Sequence, residues 1–598
     1  NVDFPGFSKS FIRLSANPHR KLRGYAMFMK FKVPVPEAPG KLVRKNRGGE
    51  MFIEYEYDRT YDPVKQITYP KRASIGKVDK DTPDQMYPNQ NYLKYFPDAA
   101  ALPEEVDRSS RSPYLNIGSY VVLHKLITET EIRPMLEKHM DTKDAGFVLD
   151  LACYSILSEN NAAQYYPDYA YSHPLFTPGM RAYTDSKVSD FLQALKPEQI
   201  LGFLNSWNSP RSKRQRIYIS YDSTNKNSQA GDIDIVEFGK AKVDQGTPIF
   251  NYSVAFDTAN REPLFYEEYP GSINDMSQLT CMIDKAYGYG YRNLGFILDR
   301  GYFSRKNLGY IERHGYSYLI MIKGMKDFIR GIILKNQGTF EGKRIHYIDR
   351  YDVYGTSVEC VLFEGDEKKK HVYLYYSDSR AYGEKQEIKA RIRRLKHYLN
   401  KCVGKECGPF GPEVNDHFYL HYEKDGKTLK LAEENTSAIE LELSLAGYFA
   451  IVSTDKMTAR EALDKYKSRD ASEKLFRADK SYLGNNSMRV CSDEALASKI
   501  FIQFIALILR CRLYTELKEC CEKMAKRPNY MTVPAALKEL EKIVMIRQLD
   551  GVYRLDHAVT KTQKTILSAF HMDEGNVRYQ AKEIGKNLQE KSDSKKGA

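Results

Sequence analysis

Two short apolar runs, each closing on an aspartate, set the strongest constraint on this chain. Ile217-Tyr-Ile-Ser-Tyr leads into Asp222, and Leu294-Gly-Phe-Ile-Leu leads into Asp299. Runs of this length, rich in Ile, Tyr and Phe, read as strands. A further strand is expected at Ile249 to Phe256, a helix near Met276 to Tyr287, and another strand at Tyr316 to Ile322. Strands followed by helix and strand begin an α/β domain. Tyr287-Gly-Tyr-Gly-Tyr-Arg is no phosphate loop, since no Lys-Ser/Thr follows it, and it reads as the turn into the Asp299 strand. Strand ends bring side chains to one rim of a sheet. Asp222 and Asp299 can therefore share hard cations, which are held by few carboxylates plus phosphate oxygens. Asp232, Asp234 and Asp257 compete with Asp222 for that part, and spacing alone does not separate them.

A third carboxylate follows on a helix. Ala446-Gly-Tyr-Phe-Ala-Ile-Val-Ser-Thr reads as a strand returning to the core, and a helix is expected from about Thr458 to Lys480, opened by a capping box of Thr458 and Glu461. At ~100° per residue, Tyr466, Arg469, Glu473 and Lys480 project within roughly 60° of one another. One stripe then carries a phenol, a guanidinium, a carboxylate and an ammonium. Such a glutamate suits a metal, and Arg469 and Lys480 suit phosphate oxygens. A solvated helix face with an Arg469–Glu473 pair gives the same pattern.

The spacing Tyr466-x2-Arg469-x3-Glu473-x6-Lys480 resembles, in all four residues and all three intervals, the Y-R-E-K signature of DDE transposases of the insertion-sequence-four superfamily. Tyr218-Ile-Ser-Tyr-Asp222-Ser-Thr is similar to that family's first-Asp strand, and Leu298-Asp299-Arg-Gly-Tyr-Phe to its second-Asp motif. Tyr57-Asp-Arg-Thr-Tyr-Asp-Pro with Lys71-Arg and Ile75-Gly-Lys, and Leu549-Asp-Gly-Val-Tyr-Arg with Thr560-Lys-Thr-Gln-Lys-Thr-Ile-Leu, look like the outer units of a bacterial insertion-sequence branch.

The resemblance implies a multidomain α/β chain: a ribonuclease-H-like catalytic core interrupted by a β-rich insertion, with an N-terminal strand-rich unit and a helical DNA-binding module. It implies that Asp222, Asp299 and Glu473 are catalytic and coordinate two Mg²⁺ or Mn²⁺ ions per active site. Tyr466, Arg469, Lys480 and Arg300 would lie against DNA phosphate. The implied function is a DNA transposase that binds terminal inverted repeats, cleaves transposon ends by metal-dependent hydrolysis and joins the 3′-hydroxyl ends to target DNA. Its implied partners are double-stranded DNA and a second copy of the chain in a synaptic complex, in the bacterial cytoplasm at the nucleoid. A same-fold metal-dependent nuclease without strand transfer and a domesticated DNA-binding protein are the alternatives. A complete acidic triad argues against the second, because a pure binder needs no metal cluster. Hairpin-forming members can use a tryptophan of the insertion to receive a flipped base. Here the single tryptophan, Trp207, precedes Asp222, so such a route would need Tyr347, Tyr351 or Tyr354 in its place.

The rest of the chain is organised around this core. At 598 residues it is too long for one core. Residues 1–95 form the strand-rich unit, expected to contact DNA, with Met51-Phe-Ile-Glu-Tyr-Glu-Tyr alternating and Pro-rich segments around it. Residues 96–210 are the helical module, although a plain helical scaffold has the same periodicity. The core is divided into 211–325 and 441–525, the insertion is 326–440, and 526–598 is a helical tail for dimer or DNA contact. A net charge of +13 fits a polyanionic partner without requiring one. Nine cysteines, an odd number without a dense framework, favour a reducing compartment. No apolar run is long enough for a membrane span, and Asn1-Val-Asp-Phe-Pro-Gly lacks the apolar centre of a signal peptide. Cys402, Cys407, His417 and His421 have ligand types that suit zinc, though unligated loop side chains read the same way. Lys368-Lys-Lys-His371 reads as a solvated turn, with a phosphate contact as its other use.

Overall fold

The computed structural model describes residues 28–63, 65–98, 111–228, 233–239, 246–273 and 275–594; the side chains of residues 275, 276, 471–473, 475, 478 and 590–594 lie outside the description. Asp232 falls outside it altogether. The chain is a mixed α/β, multidomain protein, centred on a nine-stranded sheet. In chain order its strands are β1 (Ile217–Asn227), β2 (Ile249–Asp257), β3 (Glu262–Pro270), β4 (Leu294–Leu298), β5 (Ser317–Met321), β6 (Tyr347–Ile348), β7 (Val353–Cys360), β8 (Lys370–Tyr376) and β9 (Tyr448–Ser453). Across the sheet they lie in the order β6-β7-β8-β9-β5-β4-β1-β2-β3. β1, β4 and β5 are parallel neighbours, and the remaining pairings are antiparallel.

Parallel strands are covered on both faces and so run continuously apolar; all five residues of β4 are buried. Helix α1 (Asp275–Gly288) leads from β3 toward β4. The turn between α1 and β4 places Gly290 at φ +86°, a conformation that favours glycine. Leu279, Met282 and Ile283 of α1 pack with Leu308 and Ile311 of α2 (Arg305–Arg313) against Ile219, Tyr221, Phe296 and Leu298 on one face.

β6, β7 and β8 extend the central sheet, so residues 326–440 are not a separate β-rich insertion. β8 pairs with β9 along its length from His371 to Tyr376, and Val372 and Leu374 on one face and Tyr373 and Tyr375 on the other are fully buried, which requires cover on both faces. What leaves the sheet is the stretch from 378 to 444. It is built on the 25-residue α3 (Asp378–Cys402) and a hairpin of Phe418–Tyr422 with Leu429–Glu434. Its own small core contains Ile392, Leu399, Val414, Phe418 and Leu429.

The stretch expected to be one helix over Thr458–Lys480 is two: α4 (Ala459–Lys467) and α5 (Asp470–Tyr482). The Thr458–Glu461 capping box is present at the start of α4. At the junction the Arg469 N–H donates to the Tyr466 carbonyl three residues back, a tighter turn than the α-helix makes. The angular projection across the four signature residues therefore does not hold as one straight stripe.

α6 (Asp493–Glu522) is buried nearly all round through its first half, and a helix apolar on every side needs neighbours on every side. It receives them from the sheet on one flank and from the helices between Gly118 and Asn208 on the other. The same core continues into Ile566, Leu567, Val577 and Ile584 near the C-terminus. Tyr114–Asn116 also pairs with Val544–Arg547. The helical segment 118–208 is thus packed into one body with the nine-stranded sheet and with the C-terminal helices, rather than standing as a module of its own. Trp207 is fully buried in this joint, its Nε1–H donating to the Pro263 carbonyl at 3.0 Å. Before it comes a five-stranded antiparallel sheet between Val33 and Pro88. Its leading segment docks on the C-terminal part, where Arg554 Nη2 donates to the Phe28 carbonyl at 3.0 Å. Among the described residues no helix is long and apolar enough to cross a membrane.

One polar contact fixes α5 on the sheet. Lys226 of β1 and Asp479 of α5 meet at 2.7 Å, each side chain 1% exposed. The ammonium also lies 4.2 Å from the centre of the Tyr252 ring. Asn485 donates to the second oxygen of Asp479 at 2.7 Å. Removing one partner of a buried pair leaves the other charge uncompensated, at a cost of about 3–5 kcal/mol. Asp479→Ala is therefore expected to lose that much stability in urea unfolding, while Lys226→Met with Asp479→Leu recovers most of it. A single variant as stable as the parent would remove this pair from the account.

Candidate active site

Asp222 and Asp299 come together. β1 and β4 are parallel with Tyr221 opposite Leu298, so the next residues, the two aspartates, stand across one strand spacing of ~4.8 Å. Side chains alternate along a strand, which puts Tyr218, Ser220, Asp222, Thr224 and Lys226 on one face. That face carries α4 and α5: Lys465 of α4 lies 4.2 Å from the Tyr218 ring centre, and Lys226 meets Asp479 of α5. Asp222 is half-buried between these two anchors, with Oδ1 accepting from the Ser223 N–H at 2.8 Å. Asp299 caps the turn that follows β4, its Oδ2 accepting from the Gly301 N–H at 3.2 Å. Tyr302 ties this turn to β1: its ring centre is 5.3 Å from that of Tyr221, and its hydroxyl is 3.4 Å from Ser223 Oγ.

The competing aspartates are committed elsewhere or stand apart. Asp257 is fully buried at the far end of β2, opposite Ile219, and its carboxylate takes Arg214 at 2.8 Å, Asn260 Nδ2 at 2.7 Å and the Ala259 and Asn260 N–H groups. Asp234 is exposed on the connection between β1 and β2.

Arg469, the residue before α5, reaches the pair: its Nη1 lies 3.0 Å from Asp299 Oδ1. Its guanidinium is also 5.8 Å from the Tyr466 ring centre. Tyr466 itself is buried with Tyr373, Tyr375 and Ile451, so it backs the arginine from the core. Glu473 is one helical turn beyond Arg469; its side chain is outside the description, but its backbone is in α5. Both ends of that stretch are pinned. From Arg469 to Asp479 the helix rises ~15 Å, and from Asp222 to Lys226 the strand advances ~13 Å. The matched lengths lay α5 alongside β1, and Glu473 falls in sequence between the two anchored ends. Lys480 is half-buried in the last turn of α5, and Arg300 is exposed beside Asp299. Among the described side chains no three of His, Cys, Asp and Glu gather closely enough to hold a metal; two of the three candidate ligands here are described.

Other sequence candidates do not converge. His417 turns to Glu442 at 2.9 Å and His421 to Glu433 at 3.2 Å, away from Cys402 and Cys407. Lys370 is buried at the start of β8 and pairs with Glu312 at 2.6 Å, so Lys368–His371 is not simply a solvated turn. Trp207 is buried. The Tyr351 hydroxyl donates to Asp464 at 2.9 Å, and burial together with that carboxylate pushes its pKa up to about 12. Tyr347 donates to Asp352 at 2.6 Å. Sequence reading passed over Lys226 and Asp479. A lysine two strand repeats after Asp222, on the same face of a buried strand, was the available signal.

Residues 221–509 match the transposase DDE domain. The match supports a DDE transposase, and the matched stretch runs from the residue before Asp222, through Asp299 and Glu473, into α6. Among solved structures the chain is similar to a piggyBac transposase in a synaptic complex with hairpin DNA, at 10% identity, with 71% of this chain and 72% of that chain covered and a TM-score of 0.28. No curated protein matches the chain.

In the DDE-domain stretch the donor set is hard oxygen, which suits a small divalent cation. A cation bound at Asp299 would have to compete with Arg469 for it. A partly exposed ion pair is worth about 0.2–1 kcal/mol. Arg469→Ala is therefore expected to tighten Mn²⁺ binding in the absence of DNA by about 2- to 5-fold, read by titration calorimetry. Unchanged or weaker binding would show that Arg469 does not shield Asp299.

Proposed function

We propose that this chain is a DNA transposase with a ribonuclease-H-like core, in which Asp222, Asp299 and Glu473 hold two Mg²⁺ or Mn²⁺ ions. The observation that carries the reading is the pair of aspartates side by side on β1 and β4, under a helix pinned by ion pairs four residues before and six residues after Glu473. That arrangement lies within the stretch matching a transposase DDE domain.

Divalent ions bound there would offset the charge of the scissile phosphate and make the attacking water a better nucleophile. Asp222 and Asp299 offer their oxygens from the sheet, and Glu473 closes the set from the helix. In the free protein Arg469 balances Asp299. When DNA arrives, a phosphate oxygen is the stronger partner for its planar fork, and the Tyr466 ring keeps the guanidinium in place. Lys480 and Arg300 hold phosphates on either side of the cut. Cleavage at a transposon end leaves a 3′-hydroxyl, which then attacks a phosphodiester of target DNA. Two copies of the chain, each bound to a terminal inverted repeat, bring the two ends together.

Loss of even an outer-shell partner of a metal ligand costs 10–100-fold. Asp222→Asn, Asp299→Asn and Glu473→Gln are each expected to lower Mg²⁺-dependent cutting and joining of the element's own end DNA by more than about 100-fold, with melting temperature retained. Variants that cut and join like the parent would refute the triad. Cutting without any joined product would reduce the protein to a nuclease.

A further inference from the structure

A flank of α5 borders a cavity of about 520 Å³. The turn between β2 and β3, the junction of α4 and α5, the second half of α6 and the segment 527–534 enclose it. Eight of its lining side chains are Lys or Arg, and two, Asp464 and Asp470, are acidic. Asp464 is already engaged by Tyr351 at 2.9 Å and by Arg350 at 3.3 Å. The deepest cation is Arg510 of α6, which is 4% exposed. Its guanidinium sits 4.5 Å from the Tyr482 ring centre, and its Nη1 finds no hydrogen-bond partner among the described residues. A buried donor on a charged group without a partner is expensive, and the group that relieves it is an anion. A guanidinium fork in a basic, partly aromatic cavity suits phosphate.

Lys474 and Arg477 line this cavity from α5, and Lys474 directly follows Glu473. Anything long that crosses the first turn of α5 meets the carboxylates on one flank and these cations on the next. We propose that the cavity is a second phosphate site, taking backbone phosphates of a DNA segment that runs on from the carboxylate centre around α5. The inference rests on the DNA-processing reading of that centre and names a contact the signature residues do not supply.

The test uses the full chain and a labelled duplex, followed by fluorescence anisotropy in EDTA over a range of salt. Lys474, Arg477 and Arg527 are exposed on the cavity wall, so Lys474→Gln/Arg477→Gln/Arg527→Gln should keep the fold, checked by melting. The expected result is an affinity at least ~10-fold weaker and a slope of log affinity against log salt shallower by roughly 0.9 for each phosphate no longer neutralised. Parental affinity and slope would overturn the proposal. Inorganic pyrophosphate separates a free anion from DNA. If it raises the melting temperature of the parent but not of Arg510→Met, while the triple variant binds duplex normally, the site serves a small anion and the proposal falls. A parent that cuts DNA beside a triple variant that binds like it rejects this inference and keeps the triad. A parent that needs the cavity cations to bind DNA but never cuts does the reverse.

Discussion

Lys226 and Asp479 form a fully buried ion pair between β1 of the nine-stranded sheet and the helix that carries Glu473. Two charges out of water are costly unless attraction and further contacts offset their desolvation. Here the Tyr252 ring and Asn485 supply those contacts, and Asn485 reaches on to Gln503 of α6 and Asn161 of the helical segment. Apolar packing alone tolerates small slides and rotations. A slip of one residue turns a helix by ~100°, which would carry Asp479 away from Lys226. The Lys226–Asp479 pair at one end and the Arg469–Asp299 pair at the other hold α5 at two points.

The same helix divides two environments. On the β1 side stand Asp222, Asp299 and Arg469. On the other side is a basic cavity walled by α6. α6 can serve both purposes because it is wrapped by the sheet and by the helices between 118 and 208, which hold it rigid along most of its length. Phosphate contacts placed on such elements are positioned by packing rather than by loops, and a cut needs its reacting atoms held closely.

Much of the centre was legible in the sequence because it is local. An apolar run leading into Asp marks a strand wherever the strand is placed, and β4 does stop directly before Asp299, whereas β1 runs five residues past Asp222 to Asn227, so Asp222 lies within its strand. The capping box at Thr458 is likewise a short-range signal. What was not legible depends on distant partners. Asp257 and Asp222 look alike until Arg214 and Asn260 are seen around the former. Nothing in Ser468-Arg469 marks a helix break: neither is Gly or Pro, and both keep helical backbone angles. β6 to β8 resembled an insertion because their pairing partner, β9, comes some seventy residues after β8. The helical segment resembled a module because α6, which completes its core, lies almost three hundred residues further on.

The claim on which the rest depends is that Asp222, Asp299 and Glu473 face one another across a cation site. Crystals grown with Mn²⁺ and measured near its absorption edge test this directly. The account predicts anomalous density between Asp222 in β1 and Asp299 at the end of β4, beside the first turns of α5, lost in Asp299→Asn. Anomalous density elsewhere, or none at that rim at saturating Mn²⁺, would contradict it.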